Sequence, residues 1–357
     1  MAAIYEIYGG EAHTMTMELM EAARVAEMIP EGASVALKPN LVLASAPDRG
    51  ATTHAGVLSG AIEYLQGHGV TQICIIEGSW VGDDTGRAMK AAGYDKIVQK
   101  YHVPFFDLKA DETQTVKTPL RQMEVCRRAL NADFFINLPV LKGHCQTAMT
   151  CALKNLKGCI PDKEKRRFHA EGLMAPIGAL ASALRADLTI VDSICGDLNF
   201  EEGGTPVQTN RMLLGTDPVQ IDAYGCRLMG LSLSDVPYIE LAEQWGAGSI
   251  KIRPEDLVQL NKPTQSQNYT PHSGTVARLT RRVRADGACS ACWASLVRAL
   301  YQSGQEIPVA IGQGWKGKPF EGLGVGNCCS GAAHFVKGCP PTAQDIAKAL
   351  CEMGETK

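Results

Sequence analysis

Five cysteines gather between positions 289 and 339. They are the Cys-x-x-Cys made by Cys289 and Cys292, the adjacent pair Cys328 and Cys329, and Cys339, which two prolines follow. Alone, a Cys-x-x-Cys serves as a redox dithiol, as half of a zinc site or as half of an iron–sulfur site. Its partners decide. A [4Fe–4S] cluster takes one thiolate per iron, and a single turn of chain can supply two of them. Pro340, directly after Cys339, matches the Cys-Pro ending of ferredoxin motifs, and Gly338 and Gly326 put no side chain in the way of a cluster. Side chains of adjacent residues diverge, so one of the adjacent pair is assigned as a ligand, Cys328, and Cys329 is left as neighbour or core residue. The expected ligand set is Cys289, Cys292, Cys328 and Cys339 around a [4Fe–4S] cluster. Zinc is the alternative, because it too accepts four thiolates. Cys351, beside Leu350 on an apolar helix face, reads as core.

A second group of reactive types lies in "LPVLKGHCQTAMTCALKNLKGCIPDKEKRRFH" (138–169). The spacing predicts a helix over 147–157, on which Lys154 and Lys157, three apart, share a face. Lys142 and His144 precede it, and Lys38 and Asn40 of "KPN" end an earlier strand. Together these lysines could gather around an anion, as fixed charges and ammonium donors. They could equally be scattered over a solvated face. His144 beside Cys145 has the types of a base and a nucleophile, but nothing supplies the orienting third group. Cys145, Cys151 and Cys159 are spaced too widely for a familiar ligand motif. The acidic counterpart is Asp192, Asp197, Glu201 and Glu202, followed by Asp217 and Asp222. Asp192 ends a predicted strand, where a catalytic or binding carboxylate belongs. Asp217 is explained by capping a helix that Pro218 opens.

The elements that must hold these residues alternate through the first 250 positions. Strands are expected in "ASVALKPN", "TQICIIEGS", "ADFFINLPV" and "DLTIVDS". Helices are expected in "TTHAGVLSGAIEYLQGHG", capped near Thr53, then in "RAMKAAGYDKIVQKY", "EGLMAPIGALASALRA" and "PVQIDAYGCRLMG". Such alternation implies an α/β fold, a mostly parallel sheet flanked by helices, with ligands gathering at the carboxyl ends of the strands. The polar residues of "KPN", "EGS", "LPVLKGH" and "VDS" fall at those ends. A linker-like texture over about 260–283 sets the boundary between an α/β domain, 1–283, and a smaller cysteine-rich α/β module, 284–357. Within that module "GQGWKG" (312–317) fits a dinucleotide fingerprint, but "KPFEGLGVGN" after it does not read as a helix. A loop around the metal is the better reading.

At 357 residues two domains are the natural prior, and 45% hydrophobic with 20% charged residues describes a globular chain. The formal net charge of −3 gives no electrostatic case for nucleic acid. The first residues lack a signal-peptide pattern, and no apolar run approaches the roughly 18 residues of a membrane span. The expectation is a cytoplasmic protein without membrane or nucleic-acid partners. In a reducing compartment, thirteen cysteines point to metal or redox chemistry rather than to a disulfide framework.

The segments "KPNLV", "TTHAGVLSGAIEYL", "LPVLKGHCQTAMTCALKNLKG", "IVDSICG" with "EGGTPV", and "GTDPVQIDAYGCRLMG" occur in the order seen in a known family. Over about residues 34–250 the chain resembles the domain-of-unknown-function family numbered 362, several of whose members carry an iron–sulfur module. The resemblance implies an α/β fold and a shared polar site of Lys38, Asn40, Lys142, His144, Lys154, Asn155, Asp192 and Asp222, without implying a reaction. A departure is that no ferredoxin run of four closely spaced cysteines is present. The expected function is an iron–sulfur redox protein, an iron–sulfur oxidoreductase if it is an enzyme. Its cluster would exchange electrons with an unidentified donor or acceptor protein, and the basic site, with Lys157, would hold an anionic small molecule. The alternatives are an electron carrier that docks partners, and a zinc-stabilised binding protein or non-redox enzyme with structural thiolates.

Overall fold

The computed structural model describes residues 3–197, 206–263 and 275–354, and these fall into two compact units. The larger unit holds the strands β1 (Ile4–Tyr8), β2 (Ser34–Pro39), β3 (Gln72–Glu77), β4 (Phe105–Asp107), β5 (Thr113–Lys117) and β6 (Gln122–Cys126). They are followed by β7 (Phe134–Leu138), β8 (Lys142–His144), β9 (Ala148–Thr150), β10 (Leu188–Asp197), β11 (Pro206–Gly215) and β12 (Leu257–Gln259). Eight of these strands form one sheet in the order β12-β1-β11-β10-β7-β2-β3-β4, parallel throughout except for β11. The pairs β5–β6 and β8–β9 are separate antiparallel hairpins. Every residue of β7 and β10 is buried, as the continuous apolar run of a strand covered on both faces requires. The fold is the expected α/β class.

Local differences from the sequence reading have physical causes. The helix expected over 147–157 is instead the β8–β9 hairpin, a short helix Ala152–Asn155 and a tighter turn Leu156–Cys159. Lys154 and Lys157 therefore do not share one regular helix face. The segment 87–101 breaks into helices Thr85–Ala91 and Tyr94–Tyr101, because Gly93 between them takes a left-handed conformation. β11 has no counterpart in the sequence reading. Its first six residues alternate between exposed and half-buried, which resembles a loop more than a core strand. Asp217 caps helix Pro218–Leu228 as expected, accepting the amides of Val219 and Gln220. Glu201, Glu202 and residues 264–274 of the linker-like stretch lie outside the described residues.

The smaller unit comprises Lys165–Leu173 and His272–Lys357, so it begins before the expected boundary at 283 and borrows a segment from the middle of the chain. Leu279 and Val283 explain the earlier start, because both pack against its core. Four parallel strands, β13 (Val283–Ala285), β14 (Val309–Ile311), β15 (Phe320–Val325) and β16 (Ala332–Val336), lie in sequential order. Helices Ser290–Ser303 and Ala343–Gly354 pack on each other and on this sheet through Leu296, Leu300, Ile346 and Leu350. The "GQGWKG" segment forms only the short turn Gln313–Trp315 and opens no α-helix. Among the described residues no helix is long and apolar enough to cross a membrane.

Candidate functional site

In the larger unit, the carboxyl ends of the parallel strands β2 and β7 come together beside the middle of β10, because Asp192, expected to end its strand, is followed by further strand residues as far as Asp197. Pro39 pairs with Leu138, and Val140 just beyond β7 bridges to Asp192. A ladder of side-chain amides crosses this edge. Asn137 donates Nδ2–H to the Ala152 carbonyl (2.9 Å), which leaves its Oδ1 to accept from Asn155 Nδ2 (2.8 Å). Asn155 Oδ1 in turn accepts from Asn40 Nδ2 (2.7 Å) and from the Lys38 ammonium (3.3 Å). A carbonyl at one end and a donor-only ammonium in the middle fix the orientation of all three amides. Asn40 Oδ1 ends the ladder, buried and with no donor among the described residues.

Lys38 is fully buried, and its charge is met by an ion pair with Glu77, which ends β3. Its ammonium also donates to the Pro39 carbonyl (3.0 Å). Gly158 lies against this pair, since a Cβ there would stand 2.6 Å from Lys38 Nζ and overlap the Glu77 carboxylate. A side chain at 158 would have to displace the ends of the Lys38 and Glu77 side chains.

The loop 51–54, between β2 and helix Ala55–Gly67, is pinned at each residue. Lys142 Nζ donates to the Ala51 carbonyl (2.6 Å), and the Thr52 hydroxyl donates to the Ser45 carbonyl (3.1 Å). The Thr53 hydroxyl donates to the Leu138 carbonyl (2.7 Å) and accepts the Asn40 amide (2.8 Å). Thr53 was expected to cap the helix that follows. The N-cap residue is instead His54, and Asp192 reaches over from β10 to accept both its amide (2.7 Å) and its ring Nδ1–H (2.8 Å) on the same oxygen. Burial lowers the His54 pKa, but the carboxylates of Asp192 and Asp48 outweigh it, and the net shift is upward.

The remaining expected residues have more structural surroundings. His144 Nδ1 accepts the amides of Gln146 (3.0 Å) and Thr147 (3.1 Å), so its ring organises the β8–β9 turn. Lys154 is buried and Lys157 half-buried. Asp222 is fully buried and accepts the amides of Ala152 (2.6 Å) and Leu153 (3.3 Å), capping that short helix from another helix. Burial raises its pKa to about 7, against the lowering effect of those amides and of Cys151. An acid whose folded pKa exceeds its unfolded value stabilises the fold below the unfolded pKa and loses that contribution as pH rises through the folded one. Stability should therefore fall between about pH 4 and 7 by on the order of a few kcal/mol, and Asp222→Asn should flatten that slope in urea titrations.

In the smaller unit, Cys289 is the N-cap residue of helix Ser290–Ser303, and Cys292 lies in its first turn. Burial raises the Cys292 thiol pKa, and the neighbouring thiols of Cys289, Cys339, Cys328 and Cys329 raise it further. Cys328 is raised by burial and by Cys339, with Lys316 opposing. Gln313 Nε2 stands 3.8 Å from Cys289 Sγ. Gly326, at φ +87°, approaches Cys292, and a Cβ there would lie 3.6 Å from its sulfur. Cys329 is buried in the unit's interior, 4.0 Å from the Gly312 carbonyl, while Cys339 is exposed. In this conformation no three His, Cys, Asp or Glu side chains among the described residues are arranged to hold a metal ion.

The sequence reading missed His54 and Asn137, and placed Glu77 at a strand end without assigning it a partner or a role. The signal available was position, since Glu77 and Asn137 lie at strand ends and His54 at a helix start.

A thylakoid-associated protein of Synechocystis sp. is 27% identical over 230 residues, covering 61% of this chain and 70% of that one. Two solved structures align more loosely. Lactate racemase apoprotein from Thermoanaerobacterium thermosaccharolyticum matches at 13% identity and a TM-score of 0.44, over 65% of this chain and 57% of that one. A structural-genomics protein from Thermotoga maritima matches at 14% and 0.40, over 66% and 60%. The alignments thus span less than two thirds of either solved chain. A family model matches residues 35–227, more than half of the chain and including every polar residue of the β2–β7–β10 edge described above. The chain belongs to the family described as Domain of unknown function (DUF362).

Proposed function

We propose that this is an iron–sulfur redox protein whose smaller unit binds a [4Fe–4S] cluster through Cys289, Cys292, Cys328 and Cys339. The observation that carries the reading is the gathering of thiols about Cys292. Burial and the neighbouring thiols push the Cys292 thiol up, with Cys328 raised in the same direction, and these penalties are relieved when cationic iron replaces the protons. The donor set is all sulfur, and Gly326 gives close backbone approach to Cys292. Loading requires these side chains to converge further, since among the described residues no three such groups are arranged to hold a metal ion. Cys329, buried against Gly312, stays outside the set. When bound, the cluster supplies one-electron transfer.

The α/β unit is the place for a small anionic molecule, at the carboxyl ends of parallel strands where such sheets bind ligands. Lys142, Lys154 and Lys157 are the cationic side chains assigned to it, beside Lys38, whose charge is met by Glu77. An unidentified donor or acceptor protein would exchange electrons with the cluster.

Anaerobically purified protein should contain about four irons and four sulfides per chain and bleach with dithionite. A colourless protein with one zinc would replace this reading by a zinc-stabilised one, and a protein without metal would remove both.

A further inference from the structure

We propose that His54, oriented by Asp192, is the proton-accepting group of the site at the carboxyl ends of β2 and β7, beside β10, and that it acts on small oxo acids. No residue assignment made above from sequence includes it. The inference rests on reading that edge as a small-molecule site and is independent of any cluster.

Asp192 is fully buried, and a carboxylate only accepts hydrogen bonds, so the 2.8 Å contact puts the ring proton on Nδ1. That leaves Nε2 with its lone pair. Nε2 has no hydrogen-bond partner among the described residues, and the side chain is 22% exposed, so this is the nitrogen a ligand reaches. A carboxylate behind Nδ1 fixes the tautomer, holds the ring and stabilises the imidazolium that forms when Nε2 takes a proton. The second bond, from the His54 amide to the same carboxylate oxygen, prevents the ring from being repositioned independently of the backbone. The loop that carries His54 is held at every residue, which keeps Nε2 in place. Asp192 and Asp48 are the charged groups that act on the ring, and both favour its cationic form.

The class of substrate follows from the strength of the base. An imidazole removes a proton only where the electron pair left behind is stabilised, as it is next to a carbonyl group. Lys142, on β8, donates to the Ala51 carbonyl of the loop that carries His54, and the carboxyl ends of β2 and β7 beside that loop are where such sheets take small ligands. In the step, the substrate C–H bond breaks and the proton forms an N–H bond at Nε2. The electron pair stays on the substrate as its enolate, and return of a solvent-exchanged proton completes an exchange with no net oxidation.

The test incubates the full-length protein in deuterium oxide with small 2-oxo and 3-oxo acids. Deuterium incorporation is followed by proton NMR, and binding is measured by calorimetry on the same samples. The wild type should exchange at least one of them, and His54→Gln should lower the rate by about 10²- to 10⁴-fold while binding persists. Added imidazole should restore exchange to His54→Ala. In Asp192→Asn, the His54 ring, followed by nitrogen-15 NMR, should titrate lower than in the wild type, and the pH profile of exchange should move with it. Binding with exchange that survives His54→Gln, or binding without any exchange, overturns the assignment of His54 alone. No binding of any oxo acid overturns this assignment, and loss of binding of simple carboxylates as well overturns the anion-site reading beneath it.

Discussion

Cys292→Ser is expected to abolish cluster binding, taking iron and sulfide from about four of each per chain to below one, whereas Cys329→Ser should leave both unchanged. The two residues lie in one unit, and both are cysteines with raised thiol pKa values, yet their neighbours differ. Cys292 is influenced by four other thiols, and Gly326 leaves its sulfur approachable. Cys329 is buried, lies near the Gly312 carbonyl, and its own thiol is raised chiefly by burial, with Cys328 adding to it. Serine is smaller by little and lacks the soft donor, so a fold retained by circular dichroism together with lost iron would localise the effect to ligation. Equal losses in both variants would mean that the adjacent pair shares the cluster or that the unit itself has collapsed. Retention of iron in Cys292→Ser would reject the ligand set.

Lys38→Met should destabilise the larger unit by about 3–5 kcal/mol, the cost of leaving one half of a buried ion pair without its partner. Glu77 would keep a buried carboxylate facing a methyl group, and Asn155 Oδ1 would lose one of its two donors. Glu77→Gln should cost a similar amount from the other side. The double replacement Lys38→Met with Glu77→Leu should recover a large part of the loss, because no uncompensated charge then remains. Since the chain has two compact units, a single midpoint would mix two transitions. Hydrogen exchange read at β2 and β7 separates them. Protection unchanged by either single replacement would show that the pair contributes nothing net, and a double variant worse than both singles would place its value in the amide ladder.

The sequence by itself determined the kinds of element and the kinds of chemistry. Apolar runs separated by helical periodicity specify an α/β fold, because strand and helix each bury a face with its own repeat. The Cys-x-x-Cys with its downstream cysteines shows that the smaller unit carries thiol side chains, since residue type alone decides what an atom could ligate. Lys38, next to the last residue of β2, was legible because the carboxyl ends of a parallel sheet share an edge, whereas Asp192, expected to end its strand, lies inside β10, which runs on to Asp197. Tertiary structure decided the pairing. His54 and Asp192 are 138 residues apart and meet only because β10 lies beside β7 and the 51–54 loop folds over both. Neither strand order nor register is encoded in local periodicity, so no window of sequence contains that contact. The same holds for Lys38 and Glu77, where two strands parallel in the sheet turn an apparent surface lysine into a buried, neutralised one. Asp222 likewise became a cap for a helix 70 residues away in sequence. Hydrogen-bond partners over such distances are set by packing, which is where a residue of suitable type becomes part of a site or part of the scaffold.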